Sequence, residues 1–120
     1  MTLFTPVAIP PAASATDPGW DTVVLRALAE WERAPPPADA GFDPPTAASL
    51  AAARAAAASM RDAGEPPPAR VVMDGSGGVA FETVVGSALV RRVEVSDAGR
   101  VDLYEFDPDG RSMRHTPVGR

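Results

Sequence analysis

The second half of the chain alternates between apolar and polar positions. Val79, Phe81 and Thr83 fall on one side of an extended backbone, with Ala80 and Glu82 on the other. Val93 and Val95 alternate with Arg92 and Glu94, and Val101 and Leu103 with Asp102 and Tyr104. A period of two is the mark of a half-buried strand. It predicts strands over residues 70–74, 79–85, 87–95, 100–106 and, more weakly, 111–117. Between them stand Asp74-Gly75-Ser76-Gly77-Gly78, Ser96-Asp97-Ala98-Gly99 and Asp107-Pro108-Asp109-Gly110. Turns this short join antiparallel neighbours only, because a parallel neighbour needs a crossover of about a dozen residues. One face of the sheet is then apolar. The other carries Glu82, Arg92, Glu94, Asp102 and Tyr104, with Val90 and Phe106 beside them.

The first half has a helical period instead. Trp20, Val24, Ala27, Leu28 and Trp31 recur on one face behind Asp17-Pro18-Gly19, where Asp can cap free N–H groups and Pro fits the first turn. Pro35-Pro36-Pro37 ends this helix. Both tryptophans, at that spacing, belong in the core. A second helix follows a Pro-rich connector. It is mostly alanine, with Leu50, Ala53, Ala57 and Met60 as its inner stripe and Gly64 as a left-handed cap. Its small side chains permit close approach by another element. Ahead of both helices, Pro6, Pro10 and Pro11 keep the N-terminal residues extended.

The expected architecture is therefore α+β. Two helices, at 18–33 and 45–63, pack on one face of a four- to five-stranded antiparallel meander at about residues 70–117. Residues 1–16 form an extended Pro-rich N-terminal arm, and residues 17–120 a single domain.

Composition narrows the chemistry. Arginine is used to the exclusion of lysine, beside abundant alanine and 14 prolines, which is what a GC-rich coding sequence imposes. The net charge of −5 opposes non-specific binding to nucleic acid, which needs a surface that neutralises phosphates. A nucleic-acid role would need Arg91, Arg92, Arg111, Arg114 and Arg120 to converge on one face. The absence of cysteine removes disulfides, thiolate nucleophiles and Cys-ligated metals together. No stretch reaches the ~18 continuous apolar residues of a membrane span. The N-terminal residues are apolar but lack the basic start of a signal peptide, so a cytoplasmic protein with no membrane partner is expected.

Several segments invite a catalytic or metal reading, and each has a simpler explanation. The glycines of residues 74–78 are followed by a strand rather than a helix and have no lysine, so a hairpin turn accounts for them better than a phosphate cradle. Asp107-Pro108-Asp109-Gly110 resembles the start of a calcium loop but lacks the further oxygen ligands, and it suits a type I turn. His115 is the sole histidine, and on a strand Ser112 would point to the opposite face from it. A surface histidine near the chain end is expected. Glu82, Glu94 and Asp102 have Arg92 among them, which favours cross-strand ion pairing over paired-carboxylate catalysis. No catalytic residue, metal ligand or cofactor is assigned.

Arg70-Val-Val-Met-Asp-Gly-Ser-Gly-Gly-Val-Ala-Phe-Glu82, followed by Val93-Glu-Val-Ser-Asp-Ala-Gly-Arg-Val-Asp-Leu-Tyr104, resembles small uncharacterised bacterial proteins that share a P-D-G-x-G-G hairpin and a second D-G-containing hairpin. Met73 stands where that pattern often has Pro. The resemblance covers the strand region and implies no activity.

These readings favour a non-catalytic protein-binding module, of the immunity, antitoxin, inhibitor or assembly-subunit kind. The alternative is a small enzyme or ligand-binding domain that uses His115 with a carboxylate. Partner contacts are expected from Leu3, Phe4, Val7 and Ile9 on the arm and from Arg92, Tyr104 and Phe106 on the polar sheet face. Docking of the arm on an open edge or groove would also suit a homo-oligomer.

Overall fold

The strands pair in chain order. The computed structural model describes residues 19–107, 109 and 113–118. Within them β1 (Arg70–Met73), β2 (Val79–Val85), β3 (Ala88–Val95), β4 (Val101–Phe106) and β5 (Met113–Pro117) form one sheet of order β1-β2-β3-β4-β5. Every neighbouring pair is antiparallel. Asp74 leaves the first strand because its carboxylate Oδ1 accepts the N–H groups of Ser76 at 2.7 Å and Gly78 at 2.9 Å. That is an Asx-type turn, in which the side chain replaces a strand partner.

Glycine is required in this turn. Gly77 has φ +90°, and a Cβ on it would stand 2.9 Å from that of Asp97; one on Gly78 would collide with the Val95 carbonyl. The close approach lets the connector dock. Asp43 N–H donates to Gly75 O at 2.8 Å, Gly77 N–H to Asp43 O at 3.1 Å and Thr46 N–H to Gly77 O at 3.0 Å.

Thr46 then caps the alanine-rich helix α2 (Ala47–Asp62), its hydroxyl accepting from Ser49 N–H at 3.0 Å. The same hydroxyl donates to Asp97 O at 2.6 Å. One residue thus ties the helix start to two β-turns. Gly64, at φ +80°, follows the last turn of α2 as a left-handed residue. The earlier helix begins differently from expectation. Trp20–Leu25 is π-helical, with Arg26 N–H reaching Asp21 O, and runs directly into α1 (Arg26–Arg33).

The core joins helix and strand residues. Trp20, Val24, Leu28, Leu50, Ala53 and Ala57 cluster with Val79, Phe81, Val93 and Val95, all buried. The Trp20 and Phe81 rings meet edge to face, with centroids 6.3 Å apart, a geometry worth about 0.5–1.5 kcal/mol beyond the area it buries. The indole N–H of Trp20 donates to the Glu65 carbonyl at 2.7 Å. Trp31 and Leu103, expected in the core beside these, are only partly buried against it. Leu103 borders an open groove rather than lying under a helix.

Candidate functional site

Register places one residue from each strand in a row across the polar face. The Cα partners are Arg70 with Glu82, Glu82 with Arg92, Arg92 with Tyr104 and Tyr104 with His115. The adjacent row on the same face runs Val72, Ala80, Glu94, Asp102 and Pro117. Directly opposed side chains on one face are within contact distance, and here they form a bonded ladder. Arg70 Nε donates to Glu82 Oε1 at 2.6 Å, and the Arg92 guanidinium bonds the other Glu82 oxygen. Arg92 Nε donates to Glu94 Oε2 at 2.8 Å. Arg100 Nε lies 3.3 Å from Asp102 Oδ2, while His115 Nε2 lies 3.0 Å from Asp102 Oδ1. Tyr104 and His115 stack, with ring centroids 4.6 Å apart and planes 15° from parallel.

Depth within these pairs is unequal. The side chain of Glu82 is 9 % exposed and that of Arg70 59 %; Asp102 is 14 % exposed and Arg100 64 %. In these two pairs the carboxylate is sunken and the guanidinium stands outside it, whereas Glu94 is more exposed than its partner Arg92. Arg70 and Arg100 are thus exposed positive groups on a chain whose net charge is negative. Val90, Phe106 and Met113 line a shallow cleft of about 440 Å³, with Glu105, Asp107 and Arg114 around it.

Arg92, Tyr104 and Phe106 are accordingly brought together: the first two are paired across β3 and β4, and Phe106 lies two residues along β4 from Tyr104. Leu3, Phe4, Val7 and Ile9 lie outside the described residues, as do Ser112, Arg111 and Arg120. Of the described arginines considered for nucleic acid, Arg91 and Arg114 lie in one row with Glu105, on the opposite face from Arg92. Arg91 turns to Glu65 at 2.8 Å on the helix side, Arg92 bonds Glu82 and Glu94 on the polar side, and Arg114 pairs with Glu105 at 3.1 Å.

His115 is more engaged than its place near the chain end suggested. Its partner is not a carboxylate of the nearby turn but Asp102, 13 residues away in sequence and brought into the adjacent row by the β4–β5 register. Asp102, Arg70 and Arg100 were missed as partners because spacing within one strand does not reveal register between strands. The tight turn on either side of β4 was the available signal. Neither His115 nor Asp102 lines the clefts at Phe106 or along α2. Among the described residues no three His, Asp or Glu side chains gather as a metal site requires, and no helix is long and apolar enough to cross a membrane.

Compared with protein families, curated proteins and solved structures, the chain finds no match.

Proposed function

We propose that this protein is a non-catalytic protein-binding module and that the ion-paired sheet face is its docking surface. The helices serve as the layer packed on the opposite face, leaving this one for a partner. The observation that carries the reading is the pair of exposed guanidiniums, Arg70 on β1 and Arg100 just before β4, standing over sunken carboxylates, with Tyr104 further along β4 on the same face. Arginine and tyrosine are the side chains that supply most binding energy at protein interfaces. Arg92 is held by its cross-strand bond to Glu82, His115 by its contact with Asp102 and Tyr104 by stacking on His115, so little rotamer freedom is lost on docking. The partner is a protein surface that presents carboxylates to Arg70 and Arg100 and packs against the exposed Met113. Immunity, antitoxin, inhibitor and assembly-subunit proteins work by such docking, which is analogy of role and not of fold.

A second reading rests on the 3.0 Å contact of His115 with Asp102. A histidine oriented by a carboxylate is the base of many hydrolytic sites, and here it would serve a small enzyme or a ligand-binding domain.

One experiment separates the two. The tagged protein is purified from its native cell as wild type, Arg100→Gln and His115→Ala, and the co-purifying proteins are compared. Docking predicts a partner that is lost with Arg100→Gln and weakened with His115→Ala. A partner retained at full level in Arg100→Gln contradicts the proposed surface. Loss of biological activity in His115→Ala with the partner fully retained favours the enzyme reading.

A further inference from the structure

A second uncovered surface runs along α2 on the helix side of the sheet. Ala48, Ala52, Ala56 and Met60 form one wall, and Val101, Leu103 and Val118 the other. Two clefts of about 260 and 580 Å³ share Ala56, Ser59, Val101 and Val118, so they make one continuous apolar groove. Gly99 closes one end, where a Cβ would meet that of Ala52 at 3.4 Å. The ion pair of Arg91 with Glu65 stands at the other. Val118 is 47 % exposed and Val101 and Leu103 are only partly buried. Exposed apolar grooves of this kind mark a contact site.

We propose that the groove is filled by the N-terminal segment of the same chain, residues 3–9. Three observations select this occupant. The first is where the remaining chain attaches. Residues 1–18 precede the described structure, and they join it at Gly19, next to Trp20, whose indole bonds the carbonyl of Glu65 at the groove's end.

The second is length. Ala48 to Met60 is twelve helical steps, about 18 Å at the helical rise. Leu3 to Ile9 is six residue steps, about 19 Å in the extended form that proline favours. Residues 10–18 can span up to about 30 Å, which suffices to lead back from Trp20 into the groove.

The third is chemistry. Leu3, Phe4, Val7 and Ile9 are apolar, as are the groove walls, and Pro6, Pro10 and Pro11 pre-extend the backbone, which lowers the entropy lost on docking. The attachment sets the direction: Ile9 lies toward Met60, Val7 beside Ala56 and Leu3 toward Ala48 and Gly99. The groove is on the other side of the sheet from the proposed partner surface, and the inference stands or falls separately from it.

The chain has no cysteine, which permits a direct test on the full-length protein. Two cysteine pairs are introduced separately, Val7→Cys with Ala56→Cys and Leu3→Cys with Ala48→Cys. A third, Val7→Cys with Ser87→Cys in the exposed β2–β3 turn, is the reference. Each is oxidised in dilute solution and run without reductant. The proposal predicts monomeric, internally bridged product in the first two, formed about tenfold or more faster than in the reference, as the high effective concentration of a docked segment demands. Ala48 is exposed, so the second pair reports even if cysteine at Ala56 disturbs folding. Equal rates in all three pairs, or no bridge in the first two, overturn the proposal. Disulfide-linked dimers from the first two overturn it in favour of a second copy's segment.

Discussion

The two faces of this sheet obey the same alternation and do different things. On one face Val79, Phe81, Val93 and Val95 are sealed in a cluster with Trp20, Val24, Leu28 and Leu50. On the other, Arg70, Glu82, Arg92, Tyr104 and His115 stand in a row, the first three joined by ion pairs and the last two by ring stacking. The first face gains from removal of water, a non-directional effect that scales with area. The second gains from geometry, because an ion pair near solvent contributes little unless its partners are fixed. Stability should therefore reside mainly on the first face and specificity on the second. Glu82 is where the two meet, a buried carboxylate on the polar side.

Five substitutions test this division, in decreasing order of expected cost. Phe81→Ala removes the ring beneath Trp20 and should lower unfolding free energy by about 3 kcal/mol in a urea titration. A loss well under about 1 kcal/mol would mean that the sealed face is not the source of stability. Gly77→Ala should cost about 2 kcal/mol in the same titration, since it forces an L-residue to φ +90° and a Cβ to 2.9 Å from Asp97.

Glu82→Gln leaves two guanidiniums without their shared anion and should cost about 2 kcal/mol, because the group is buried and its bonds are charge-assisted. The more exposed Glu94→Gln should cost less than about 1 kcal/mol, and equal losses at the two would show that depth is irrelevant on this face. His115→Ala removes one stacked ring and one partly exposed contact, and the thermal midpoint should fall only slightly, by an energy under about 1 kcal/mol.

Much of the sheet was legible in the chain because local chemistry decides it. Asp74, Gly77 and Gly78 can only make a turn, and the alternation from Val79 to Glu82 and from Arg92 to Val95 follows from pleating. Thr46 and Gly64 bound the alanine helix by the same kind of local logic. What lay beyond reach depends on contacts between distant elements. Trp20 and Trp31 share a helical stripe, yet Trp20 is buried and Trp31 only partly so, a difference that no spacing encodes.

The π-helical opening at Trp20–Leu25 keeps the apolar stripe intact, so periodicity does not distinguish it from an α-helix. The site was half legible. Arg92 with Glu82 and Glu94 followed from alternation, whereas Asp102 with His115 and Arg100 depends on register and on the loop before β4.

The division between faces is tested most directly by measuring stability and partner recovery on the same proteins. Arg70→Gln with Arg100→Gln removes both exposed guanidiniums and leaves Glu82 its bond to Arg92 and Asp102 its contact with His115. Phe81→Leu trims the sealed face alone. The urea midpoint and the yield of the co-purifying protein are read for each. The arginine pair should keep a near-wild-type midpoint and lose the partner, while Phe81→Leu should lower the midpoint and keep it. An arginine double variant that retains its partner at full yield would contradict the assignment of binding to the ion-paired face.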